Sequence, residues 1–236
     1  GEFPFWNPYT FLGRPFMADP ETAVWYPATW LYLVFSDSVA YCLGLSVHVF
    51  LGMAGMFLVA RRWNCSVILS VFAGLVFVVS PPYAGHLQGG LIGYVHTLSW
   101  WPLGLLFVDR LCFLPSLRDW LILSMVFAFA FLAGHSHAFW LIGCSLGFYA
   151  VGHSITLDPL QFGKRVLRSG GLVLSSLLAG VCLSAVQLLP MLELIEQGNR
   201  TGSKAFAAFG SQTWEGLSSV FSIVKGEDSI WWSGNL

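Results

Sequence analysis

Charge is what this chain has least of. Only 10% of its 236 residues are Asp, Glu, Lys or Arg, against about 25% in soluble domains, which excludes a water-soluble globule. The 11 basic and 12 acidic residues leave a formal net charge of -1, so binding driven by phosphate neutralisation, and with it a nucleic-acid partner, is excluded. Cysteine is sparse as well. Cys42, Cys65, Cys112, Cys144 and Cys182 stand far apart with no CxxC spacing, which excludes a disulfide or zinc framework and predicts small buried hydrophobes. There is no internal repeat, and Glu2-Phe3-Pro4-Phe5-Trp6-Asn7-Pro8 has neither the basic nor the apolar part of a signal peptide. The start at Gly1 and the stop at Asn235-Leu236, without a helix end or polar tail, read as the limits of an internal fragment of a longer protein.

Apolar residues fill the space that charge leaves: 56% of the chain, with 20 Phe and 11 Trp and a mean hydropathy of +0.70. The fold class expected is all-α, a polytopic bundle of about six transmembrane helices, each needing about 20 apolar residues. The runs lie near 38-60, 65-81, 93-108, 117-133, 137-152 and 169-189; the third contains Pro102. Basic residues fall at every second connection: Arg61 and Arg62, then Arg110 and Arg118, then Lys164, Arg165 and Arg168. Because Lys and Arg near span ends stay in the cytoplasm, both terminal segments of the chain are expected to face outward from a bacterial cytoplasmic membrane crossed several times. The connections 82-92 and 134-136 hold no Lys or Arg, and Glu2, Asp19, Glu21, Asp37, Glu193, Glu196, Glu215, Glu227 and Asp228 fall on that same outer side.

Three regions follow. Residues 1-36, rich in Trp and Pro, predict an ordered outer loop with an interfacial helix, at the depth where aromatic rings prefer to sit. Residues 37-190 form the transmembrane core, and 191-236 begin a second outer segment with Trp214, Trp231 and Trp232.

Polar groups not explained by the basic rim collect at the outer span ends. His86 follows the second run, His96 opens the third, His135 and His137 occupy the turn between the fourth and fifth, and Gln187, Glu193 and Glu196 mark the end of the sixth. Ionisable groups are costly in lipid, so such a cluster is a candidate functional site. His86, His135 and His137 could be imidazole ligands for a divalent metal ion or substrate contacts. His48 shares a helical stripe with Gly44, Gly52 and Gly55, which predicts close helix packing, as does Gly143-x-x-x-Gly147. Glu193, Glu196 and Arg200 could form a solvated helix end, and Asn199-Arg200-Thr201 fits a glycosylation acceptor.

The stretch Gly1-Glu2-Phe3-Pro4-Phe5-Trp6-Asn7-Pro8-Tyr9, continuing through Phe11-Leu12-Gly13-Arg14-Pro15-Phe16 to Trp25-Tyr26-Pro27, resembles the outer-loop signature of the YfhO-like bacterial membrane proteins. Ser80 to His86, Leu132-Ala133-Gly134-His135 and Leu188-Leu189-Pro190-Met191-Leu192-Glu193-Leu194 followed by Arg200 resemble further blocks in the same order. Such proteins are similar to the GT-C class of glycosyltransferases. The resemblance implies transfer of a sugar from a polyprenyl-phosphate donor to a cell-envelope acceptor on the outer face. It also implies a catalytic acid in the first outer loop, upstream of Gly1, with Asp19 and Glu21 as substitutes if their loop folds back to the helix ends. Trp6, Asn7, Tyr9, Arg14, His86, His135, His137 and Glu193 are the expected substrate contacts, Arg14 through a guanidinium fork suited to phosphate or else ordering the loop. The chain departs from the family pattern at Ser136-His137, where Pro-Gln is expected, and at Asp19-Pro20-Glu21, where the loop often reads Asn-Pro-Gln. A transporter or lipid flippase, and a non-catalytic scaffold subunit, stand as alternatives.

Overall fold

The computed structural model describes residues 5–9, 12–157 and 162–197, and these are mostly helical. A small antiparallel hairpin opens the chain: β1 (Trp6–Asn7) pairs with β2 (Arg14–Pro15), Trp6 opposite Pro15 and Asn7 opposite Arg14. Two 3-10 turns follow, Pro20–Thr22 and Pro27–Leu33, each opened by proline, whose fixed φ suits a first helical position. The helices are α1 (Asp37–Arg62), α2 (Val67–Val79), α3 (Pro81–Gln88), α4 (Ile92–Leu98), α5 (Trp101–Phe113), α6 (Leu117–Leu132), α7 (Ser136–Leu157), α8 (Phe162–Leu183) and α9 (Ala185–Gln197).

Local chemistry sets these limits. Ser66 and Ser116 cap α2 and α6, accepting from the backbone N–H of Leu69 at 3.3 Å and of Asp119 at 3.1 Å. Pro81 forces Ser80 into an extended conformation, so α2 and α3 meet at a 43° bend. The expected run 93-108 is two helices, because the chain breaks at Ser99-Trp100 and restarts at Trp101, with Pro102 in the first turn. The run 169-189 likewise breaks at Ser184.

Every apolar run is helical, but among the described residues two helices are long and apolar enough to cross a membrane, α1 and Gly163–Leu183 of α8, or three if the bent α2–α3 pair is one span. At 16 residues α6 falls short of the roughly 20 that a bilayer requires. In the most apolar stretches of α1 and α8 only 28% and 22% of residues are buried within the chain. The remainder, with Ile68 and Phe72 on α2 and Phe148 on α7, turns large apolar side chains outward, a surface suited to lipid.

The core gathers Val59, Val108, Leu123, Phe127, Phe139 and Leu146 from α1, α5, α6 and α7. Small residues set the closest crossings. On α1 the buried stripe runs through Gly44, His48, Gly52 and Gly55; a Cβ on Gly55 would lie 3.0 Å from Pro102 Cβ, and one on Gly52 2.9 Å from Phe77 Cε1. One on Gly180 of α8 would lie 2.6 Å from Phe127 Cβ. Gly143 faces Leu177 of α8, whereas Gly147 meets nothing within 4 Å, so only the first half of that expected packing face is used. The cysteines are free, and Cys42, Cys144 and Cys182 are exposed, not buried as expected. They sit on outward helix faces, where lipid would solvate a thiol as well as a core does.

Two acids, Asp109 and Asp119, lie among the basic residues of the α1 C-terminal end and are buried there. Asp109 accepts from Arg62 Nε at 2.8 Å and from Tyr149 Oη at 2.6 Å, and Asp119 pairs with Arg110 at 3.0 Å. The chain divides into two compact units, Gly1–Leu194 and Ile195–Leu236. In the second, only residues 195–197 are described; Arg200, Asn199, Thr201 and the segment 201-236 lie outside the described residues.

Candidate functional site

The N-terminal loop folds back onto the turn between α6 and α7. Asp19 organises it: its Oδ1 accepts from Glu21 N–H at 3.0 Å, and its Oδ2 pairs with Arg14 Nη2 at 2.5 Å. The loop then docks at Gly134, whose φ of +101° belongs to glycine. A Cβ there would lie 2.6 Å from Pro20 O and 3.3 Å from Ala23 Cβ. Gln187 at the start of α9 fastens the loop from the other side, donating from Nε2 to Met17 O at 3.1 Å.

Around that junction the structure brings together Arg14, Asp19, Glu21, His86, His135 and His137. His135 caps α7: its Nδ1 accepts from Ala138 N–H at 3.2 Å, so the neutral ring carries its proton on Nε2. Burial holds the His135 imidazole below the usual histidine range, opposed by the nearby Glu21 carboxylate and reinforced by His137 and His86. His86 has the opposite tautomer. Its Nδ1–H donates to Pro82 O at 2.6 Å, which leaves the Nε2 lone pair as acceptor. Tyr94 joins the two, stacked on His86 at 3.6 Å and edge-on to His135 at 4.9 Å. His137 is exposed, its ring 6.5 Å from that of His135.

Tyr94 also lines an apolar groove of about 370 Å³ with Phe77, Pro82, Leu98, Trp101 and Leu141. Tyr94 thus contacts both imidazoles and also forms part of the wall of this apolar groove, whose lining suits a hydrocarbon chain. Arg14 serves the loop through Asp19, and its Nε is buried without a partner.

The other expected contacts stand apart. Trp6 is exposed on β1 and covers Gly13; Asn7 Oδ1 accepts from Tyr9 N–H at 2.9 Å, and Tyr9 points into solvent, 94% exposed. Glu193 is exposed on α9 and forms no hydrogen bond or ion pair with the cluster among the described residues. Among the described residues no three His, Cys, Asp or Glu side chains are placed to hold a metal ion. The expected triad of His86, His135 and His137 is not assembled, because His86 is stacked on Tyr94 and His135 gives its Nδ1 to the α7 cap.

A second polar centre lies beneath the loop. Tyr26, 2% exposed, donates to His48 Nε2 at 2.5 Å and accepts from Trp100 Nε1 at 2.8 Å; His48 Nδ1–H donates to Gly44 O. Burial raises the Tyr26 phenol well above its ordinary range, with the Trp100 bond opposing. The His96 ring stacks on His48 at 3.7 Å, and its Nε2 is buried without a partner. The sequence places His48 on a packing stripe and His96 among the polar residues at the span ends, and does not bring the two together. Nothing in it links them to Tyr26, 22 residues before His48.

Comparison of the chain with protein-family models, with curated proteins and with solved structures returns no match.

Proposed function

We propose that the outer junction receives a substrate with a polar head and a hydrocarbon tail, and that the protein is a membrane glycosyltransferase using a polyprenyl-phosphate-linked sugar. The observation that carries the reading is the position of Tyr94, which touches the His86 and His135 rings and also lines the apolar groove. The resemblance to the YfhO-like proteins and to the GT-C class supports the same chemistry, with the shorter helices completing a bundle of about six spans and the junction on the outer face.

In that reading His86 Nε2 or the Glu21 carboxylate takes the proton of the acceptor hydroxyl. The new bond forms from that oxygen to the sugar C1, and the C1–O bond to the lipid phosphate breaks. The His135 Nε2–H donates toward the charge developing on the departing phosphate. The free N–H groups of Arg14 add to this only where Asp19 releases them.

The test is transfer of label from a radiolabelled polyprenyl-phosphate sugar to a membrane acceptor, with the full parent protein in membranes. His86→Gln and Glu21→Gln are each expected to reduce transfer about 100-fold or more, the usual worth of a positioned acid or base, with insertion intact. No transfer by the folded parent protein with any common sugar overturns the reading. The transporter alternative draws on His48 and His96, stacked where α4 and α5 break, since broken helices with polar centres line translocation paths. It expects flux of a lipid-linked substrate that His48→Phe abolishes, without any label transfer.

A further inference from the structure

The end of the bundle that carries Arg62 holds a second cavity, of about 290 Å³, at the small end of the ligand-site range of about 300–1,000 Å³. Its walls come from Phe113 at the end of α5, His153 and Ser154 on α7, and Lys164, Arg165 and Arg168 in the first two turns of α8. The charge is one-sided: no carboxylate lines the cavity among its described residues. At the same end Arg62 pairs with Asp109 and Arg110 with Asp119, while Arg61 donates to the Cys65 carbonyl. Lys164, Arg165 and Arg168 have no carboxylate partner among the described residues, although Lys164 and Arg168, four apart on one helix, repel each other.

The floor is polar as well. Ser154 Oγ and Ser169 Oγ lie 2.8 Å apart, both buried. The Phe113 ring meets the His153 ring edge-on at 4.5 Å, giving one wall an apolar lining. Three cations around a small concavity with a partly apolar wall fit a phosphate group, and basic pockets between membrane helices at the cytoplasmic rim hold anionic head groups.

We propose that this cavity is a phosphate-binding site, separate from the outer junction, occupied by the head group of an anionic lipid or by a soluble phosphate. Lys164, Arg165 and Arg168 supply the charge, and occupancy ties the start of α8 to the ends of α5 and α7.

The experiment measures the thermal midpoint of the purified full chain in phosphatidylcholine nanodiscs, in the same discs containing phosphatidylglycerol, and in the first discs with added inorganic phosphate. A rise with phosphatidylglycerol alone identifies a lipid head group; a rise with inorganic phosphate identifies a soluble ligand. The double variant Arg165→Gln/Arg168→Gln is expected to keep its midpoint in phosphatidylcholine and to weaken the response about tenfold or more in ligand concentration, the loss of at least one charge-assisted hydrogen bond. Arg168→Lys, which keeps the charge, is expected to keep most of the response and serves if the double variant does not fold. Absence of any rise in the native chain with either probe overturns the proposal, and so does an undiminished rise in the double variant.

Discussion

Replacing Gly134 by alanine tests whether the outer loop is held by the α6–α7 turn. At φ +101° an L side chain costs about 1–2 kcal/mol. The new Cβ would stand 2.6 Å from Pro20 O, against a normal C···O approach of about 3.3 Å, so the loop must retreat by about 0.7 Å. Overpacking of that kind costs about 1–3 kcal/mol, which brings the total to about 2–5 kcal/mol with the loop docked. The helical core does not depend on Pro20, so the chain escapes the cost by releasing the loop. The assay is labelling of Ala18→Cys by an impermeant thiol reagent in a background without the five native cysteines. Ala18 is partly covered, and its carbonyl accepts from Gln187. Gly134→Ala should raise the labelling rate at least tenfold and leave the helical content unchanged. Gly134→Asn, which tolerates positive φ better but keeps the Cβ, should release the loop by a similar amount. Unchanged labelling in both variants would refute the docking.

Three further outcomes are expected. The His135 imidazole is held below its usual range, so the unfolded chain binds its proton first as pH falls; stability is full above about pH 6.5 and declines below it. The thermal midpoint should drop between pH 7.5 and 5.5, and less steeply in His135→Gln; equal slopes would remove His135 as the cause. Asp109→Ala leaves Arg62 and Tyr149 without their acceptor and should cost about 2 kcal/mol, discounted for the partly exposed Arg62, read as a lower denaturation midpoint. With orientation set by the basic rim, Gln88→Cys in a cysteine-free chain should react with an impermeant reagent from outside and Gly163→Cys should not, and reversed labelling would invert the topology.

Much of this was legible because helical periodicity repeats along the chain. The spacing of Gly44, His48, Gly52 and Gly55 marks a buried stripe on α1. Pro102 marked the break after Ser99 in the third run, whereas the break at Ser184 carries neither proline nor charge and tertiary packing decides it. At the site, the gathering of Asp19, Glu21 and His135 followed from counting outer polar residues. The place of Tyr94 between His86 and His135 did not, because an aromatic in an apolar run carries no mark of its neighbours. Asp109 was recoverable: an acid at the very end of an apolar run, among basic residues, requires a partner, and Arg62 is one of the cations at the same end of the bundle.

The bond from Gln187 to Met17 spans 170 residues. At a synthesis rate of about 5–20 residues per second, Gln187 is made on the order of 10 to 30 s after Met17. Throughout that interval the turn at Gly134 and the early helices can form, yet the loop lacks its last fastening. Closure of the outer junction is thus tied to completion of α8, and a chain arrested before α9 would display an unlatched loop, a mark by which quality control could tell unfinished chains from finished ones.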